Sequence, residues 1–394
     1  MKSKHAFKLV AVICSAVLTL LCAEIVLRLM PSNLVGASER HISCLTSASH
    51  IPESRDAYFD PDDYYTKCDC FAVMDEHPTL KIVPRPHVDG DGYHTNNLHC
   101  RYDDDLTSSK EPGEFRIVVT GGSTAWGAGV RQHETFSALL ESRLRAAHPH
   151  RLARVICAGV GTYSSSQEIG LAREIMDDLK PDVVLMFTGW NDTYFGYRGE
   201  QQEEPRESLS RLDPPRYGDF ACKLHYVVAR AIHNRRYAAQ MEQLIEAGSA
   251  TPDEVVDLQQ SNILAMHEIA AKLNARLICC LQPTLYETRK ELTSWERRLL
   301  EYNDAMYLGF RRYNTKVYKA YRASLPNHAK THGYEFHDLD SAIADEPLSV
   351  FVDHVHFGTR GNLRIAEGLD TIIRHTIDLD GQMAAKDRDM KSKR

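Results

Sequence analysis

Four segments apolar on both faces, and a shorter fifth, each followed by a turn and a helix-patterned run, constrain this chain more than any other feature. They are FRIVVT from Phe115, ARVICAG from Ala153, PDVVLMFTG from Pro181, ARLICCLQP from Ala275 and the short GYEFHDL from Gly333. A strand without a polar face must be covered on both sides, which is the condition of a parallel sheet between two helical layers. The intervening runs supply those layers. In HETFSALLESRLRAAH, Phe136, Leu139, Leu140 and Leu144 recur at helical spacing. SSSQEIGLAREIMDDL is a second helix, and helical patterns also occupy residues 222–247, 253–274 and 293–324, with a closing helix expected after Gly361. The expected fold is α/β: a three-layer α/β/α sandwich with a parallel, flavodoxin-like sheet.

Right-handed crossovers bring the carboxyl ends of parallel strands to one edge, where such sheets bind ligands. At that edge the first strand runs into Gly121-Gly122-Ser123-Thr124, the second into AGVGTYSSSQ and the third into Gly189-Trp190-Asn191-Asp192. A strand order of 2-1-3 makes these three turns neighbours. Far along the chain, FVDHVHFGTRGN places Asp353 and His356 three residues apart, before the last helix.

These residue types are what acyl transfer needs. A serine hydroxyl becomes a nucleophile when a base takes its proton. Histidine suits that task near neutral pH, and a carboxylate fixes its tautomer. Backbone N–H groups in glycine turns and an asparagine amide are donors for a developing oxyanion. Ser123 alone would be read as a helix cap, and the glycines as a phosphate cradle, except that no lysine follows them at the required spacing. Trp190, Tyr163 and Tyr194 are candidates to line an acyl or sugar pocket, or simply core aromatics. His354 and His337 are read as structural or surface residues.

Taken together, the motifs resemble the SGNH/GDSL hydrolase superfamily, whose four blocks contribute Ser, Gly, Asn and His. GGST matches the first block with Ser123 as nucleophile; GWND matches the third with Asn191 as oxyanion amide; DHVH matches the last, D-x-x-H, with Asp353 and His356. The second block, N-x-G-V-x-G in the family, departs here: Cys157 replaces the Asn and Thr162 stands where the last glycine is expected. The resemblance therefore implies oxyanion donors at Ser123, Asn191 and either Gly161 or Thr162. It covers roughly Phe115 to Leu369. EIVLRLM and QPTLYETRKELTSWE also resemble membrane-anchored bacterial members.

Composition limits the alternatives. A formal net charge of −7 over 394 residues offers no basic face for nucleic acid. Lys2, Lys4 and Lys8 precede an uncharged run from Leu9 to Ala23, and Arg28 follows. That run is short for a span of about 20 residues, but its flanking cations can snorkel. It is read as an uncleaved transmembrane helix, a cleaved signal peptide being the rival, with the N-terminus cytoplasmic and the rest extracytoplasmic. Cys44, Cys68, Cys70 and Cys100 are then available for disulfides, whereas Cys157, Cys279 and Cys280 read as buried hydrophobes. Cys68-Asp69-Cys70 is too tight for a zinc knuckle, so no metal or cofactor is expected.

The expected organisation is a membrane anchor at 1–30, an irregular cysteine-containing lead-in at 31–110, an SGNH hydrolase-like domain at 111–380 and a basic disordered tail at 381–394. Residues 198–218 form a polar, proline-punctuated excursion. The expected function is a serine ester hydrolase acting on O-acetyl or other short acyl groups of an extracytoplasmic glycan, lipid or small molecule. An O-acetyltransferase using the same site, and a non-catalytic glycan-binding protein, are the alternatives.

Overall fold

The computed structural model describes residues 57, 73–90, 92–199, 249–307 and 309–376. The N-terminal apolar run, Cys44, Cys68, Cys70, the excursion beyond Gly199, the helical pattern at 222–247 and the tail at 381–394 lie outside the described residues. Among the described residues, no helix is long and apolar enough to cross a membrane.

Before the main sheet the described residues make two small antiparallel hairpins, β1 (Met74–His77) with β2 (Lys81–Pro84), and β3 (Asp89–Gly90) with β4 (Tyr93–His94). This corrects the expectation of an irregular lead-in over that stretch. Strands of four and two residues are too short to show a period in sequence.

The main sheet has five parallel strands: β5 (Glu114–Gly121), β6 (Leu152–Cys157), β7 (Val183–Thr188), β8 (Arg276–Leu281) and β9 (Glu335–Asp338). Their spatial order is β6-β5-β7-β8-β9, the flavodoxin-like winding expected from the sequence. Strand periodicity divides the core in two. Ile117, Val119, Val155, Leu185 and Phe187 point into one layer, and Val118, Ile156, Val184 and Met186 into the other. Each such burial is worth about 1.5–3 kcal/mol.

The first layer is closed by α2 (Phe136–Ala147), α6 (Ser294–Met306) and α9 (Thr359–Thr376), the second by α3 (Ser165–Leu179), α5 (Pro252–Lys272) and α7 (Phe310–His332). Shorter helices are α1 (Ser123–Trp126), α4 (Trp190–Arg198) and α8 (Asp340–Ile343). The single helical run expected over 293–324 is two helices: the first ends at Met306, and Gly309, the N-cap of the second, takes φ 76°, a left-handed conformation that costs little only at glycine. The closing helix starts at Thr359, ahead of Gly361.

Cys100, Cys157, Cys279 and Cys280 are free and buried. For Cys100 this corrects the disulfide expectation: its thiol is inside the fold and donates to the Leu98 carbonyl at 3.3 Å.

Candidate active site

The nucleophile candidate sits at the first helical position after β5. Gly122 is the N-cap of α1 and Ser123 its first residue. Early helical N–H groups have no partner inside the helix, so the Ser123 N–H is offered outward. The helix is a single turn and is held from beneath. Arg101, buried in the lead-in, donates to the carbonyls of Trp126 and Gly127 at 2.8 and 2.9 Å. The buried Gln282, just past β8, donates to Thr124 Oγ1 at 2.9 Å. Neither side chain has a motif role of its own in sequence: Arg101 lies in the lead-in, and Gln282 follows the apolar run of ARLICCLQP as a single polar residue.

Cys157, standing where the family pattern has Asn, also supports α1. Burial pushes its thiol up to about 11, so it stays protonated and donates to the Ala125 carbonyl at 3.1 Å.

The histidine loop is a tight hairpin between α8 and α9, closed by Val352 N–H to the His356 carbonyl at 3.0 Å and by an isolated bridge between Phe351 and Phe357. Its base is fixed by Glu296 in α6, whose carboxylate accepts from the N–H groups of Val350 and Phe351 at 2.9 and 3.3 Å. Glu296 is in turn paired with the equally buried Lys290 at 2.7 Å. The loop delivers His356 Nε2 to 2.6 Å from Ser123 Oγ, and His356 Nδ1 to 2.7 Å from Asp353 Oδ2.

The tautomer follows from the partners. Burial alone would raise the Asp353 carboxyl, but the His356 and His354 imidazoles and its hydrogen bonds override that and hold it well below the usual range. An ionised carboxylate only accepts, so Nδ1 carries the proton. In the tautomer that leaves Nε2 without a proton, Nε2 is the acceptor and the Ser123 hydroxyl donates to it. Asp353 Oδ1 accepts the N–H groups of Val355 and His356 at 2.8 and 2.7 Å, which locks the carboxylate against rotation.

Asn191 is the second residue of α4; GWND, read from sequence as a turn, is a helix start at Gly189. Its Nδ2 donates to the Tyr163 carbonyl at 2.7 Å. Only the NH₂ end can make that bond, so the amide orientation is set and a second N–H remains for a ligand. A Cβ on Gly122 would collide with this Nδ2, so the closeness of amide and nucleophile depends on glycine there.

Tyr163 closes the second-block turn, donating its N–H to the Val160 carbonyl at 3.2 Å. Within that turn Thr162 has φ 68°. The position that the family fills with glycine therefore keeps a glycine-like conformation, imposed on a β-branched residue. Gly161 is buried beside it and Thr162 half-buried.

The structure thus brings Ser123, Asp353 and His356 into one hydrogen-bonded line, with Asn191 and the Gly161–Thr162 turn on the same rim. The aromatic candidates fare differently. Trp190 and Tyr163 are only 6% and 1% exposed and belong to the core, the second of the two readings open in sequence. The Tyr163 hydroxyl is spent on the Ile82 carbonyl. Trp190 stacks on Tyr286 with centroids 5.9 Å apart, and the His354 ring lies 4.9 Å from Trp190. Tyr194 remains half-buried, edge-on to Phe310 at 5.8 Å. His337 is on β9, 3.6 Å from Glu335 and remote in sequence from the loop.

Residues 119–364 match the model of the GDSL-like lipase/acylhydrolase family. No curated protein matches the chain. Among solved structures, the chain is similar to a carbohydrate acetylesterase from Sinorhizobium meliloti, at 13% identity and TM-score 0.40, covering 67% of this chain and all (100%) of that one. It is also similar to an acetyl xylan esterase, at 16% identity and TM-score 0.37, covering 66% of this chain and 100% of the other. A GDSL-like lipase from Bacteroides thetaiotaomicron matches at 15% identity and TM-score 0.33, covering 69% and 93% respectively.

Proposed function

We propose, because the chain belongs to the GDSL-like lipase/acylhydrolase family, that its ester hydrolysis runs through Ser123, His356 and Asp353. The observation that carries this reading is the continuous line of 2.6 and 2.7 Å contacts from Ser123 Oγ through the imidazole to Asp353. In the first half-reaction Ser123 Oγ attacks the ester carbonyl carbon while His356 Nε2 takes its proton. Charge develops on the carbonyl oxygen, facing the Ser123 N–H, the Asn191 amide and the N–H of Gly161 or Thr162. Collapse breaks the acyl–oxygen bond, and His356 returns the proton to the leaving alcohol. Water then attacks the acyl-serine with His356 again as base, releasing the acid and restoring Ser123.

The substrate in this reading carries O-acetyl or other short acyl groups on an extracytoplasmic glycan or lipid. Support for that address is the lysine-flanked apolar run at the N-terminus, read as an anchor with the catalytic domain beyond the membrane. A fluorophosphonate probe should label the wild-type protein and leave Ser123→Ala unlabelled; equal labelling removes Ser123 from the role. Acetate released from an acetylated polysaccharide, without transfer to an added glycan acceptor, separates hydrolysis from acyl transfer. A C-terminal alkaline phosphatase fusion should be active in cells; an inactive fusion contradicts the address.

A further inference from the structure

Beneath the rim lies a buried carboxyl that the reaction above does not use. Glu168, in the first turn of α3, is only 3% exposed. Thr120 Oγ1, on β5, donates to its Oε2 at 2.9 Å, and Thr188 Oγ1, on β7, to its Oε1 at 3.0 Å. Gln259 from α5 donates to Thr188 Oγ1 at 3.3 Å, which directs the Thr188 proton toward the carboxyl.

The placement of this bridge is informative. Thr120 lies three residues before Ser123, and Thr188 three residues before Asn191. The ladder between β5 and β7 ends at Gly121 and Phe187. Past that rung the two chains part into the turns that carry the nucleophile and the oxyanion amide. One carboxyl spans them at the point of parting. Next to it the Asp192 carboxylate accepts from the Ser165 hydroxyl at 2.6 Å and from the Ser165 N–H, pinning the start of α4 to the start of α3.

We propose that Glu168 is a positioning residue, whose two-pronged bridge between Thr120 and Thr188 sets the separation of Ser123 from the Asn191 amide. It touches no reacting atom and acts through the two strand ends. The inference rests on the reading of Ser123 and Asn191 above. Its consequence is specific: loosening the bridge displaces a donor used only by the oxyanion, so kcat falls while KM holds.

The test uses the full-length protein and p-nitrophenyl acetate. Hydrolysis that Ser123→Ala abolishes establishes the underlying reading; hydrolysis that survives in Ser123→Ala defeats that reading and leaves Glu168 aside from it. Given Ser123-dependent turnover, Glu168→Leu should lower kcat about 10–100-fold, as expected for a misplacement approaching 1 Å. Glu168→Gln, which can accept from Thr188 and donate to Thr120, should recover most of that loss. In an Asn191→Ala background, Glu168→Leu should add less than about threefold, because the displaced donor is already gone. Thr188→Val, which removes one prong alone, should repeat the kcat-selective loss and serves if Glu168→Leu does not fold. Wild-type kcat in folded Glu168→Leu or Thr188→Val overturns the proposal, and so does a full multiplicative effect on Asn191→Ala.

Discussion

Placing a methyl group on Gly122 is the sharpest perturbation the site offers. Its φ of −85° and ψ of −154° suit any residue, so Gly122→Ala introduces no backbone strain. The obstacle is space. A Cβ there would meet Asn191 Nδ2 well inside 3.0 Å, with Asn191 Cγ and the Tyr163 carbonyl oxygen both at 3.4 Å. Reaching ordinary contact, about 3.5 Å, moves the amide by roughly 1 Å. That breaks its 2.7 Å bond to Tyr163 and turns the free N–H away from the oxyanion. A 1 Å misplacement is worth about 10²-fold, or ~2.7 kcal/mol, close to the loss expected from deleting an oxyanion donor outright. Gly122→Ala should therefore lower kcat for p-nitrophenyl acetate about 10²-fold, with KM nearly unchanged and a folded protein by thermal melt. Gly122→Ala combined with Asn191→Ala should be no slower than Asn191→Ala alone, since the clash disappears with the amide. Wild-type kcat in Gly122→Ala, alongside a slow Asn191→Ala, would refute the steric reasoning.

Three further substitutions probe the same frame. Asp353→Asn presents an amide N–H to His356 Nδ1, forcing the proton onto Nε2, where it blocks acceptance from Ser123; kcat should drop about 10³–10⁴-fold, and a drop of under tenfold would show that another group orients the ring. Thr162→Gly removes a β-branched side chain from φ 68°; relief of about 1 kcal/mol of strain offsets the entropy of the new glycine, so Tm should hold or rise, and a clear fall would contradict the left-handed turn. Glu168 titrates near pH 8 because burial, with the Asp192 charge second, raises it from 4.5. A carboxyl raised on folding contributes stability that is whole below its unfolded pKa and lost as pH climbs to its folded one. Relative to Glu168→Gln, wild-type Tm should thus decline between about pH 4.5 and 8, by at most about 4–5 kcal/mol of stability; parallel Tm profiles for the two proteins would exclude the shift.

The sheet was legible because its cause is local. Segments such as Ile117–Val119 and Val183–Phe187 have no polar face to give to water, and Leu139, Leu140 and Leu144 repeat on one side of a helix. Burial demands that pattern wherever it occurs, so strand number, parallelism and the rim followed. The chemistry-bearing residues were legible for a related reason: Ser123, Asn191, Asp353 and His356 sit in short motifs whose turn residues are dictated by the turns themselves. Helix breaks and small hairpins escaped, since one left-handed glycine or a four-residue strand leaves no periodic trace.

What only the tertiary structure decided is the set of side chains that aim the motifs. Arg101 under α1, Gln282 against Thr124, Glu296 at the base of the histidine loop and Glu168 between two strand ends are each ordinary polar residues in sequence. Their partners lie up to 158 positions away. A hydrogen bond is defined by distance and angle in space, and those exist only after the sheet has brought remote segments together.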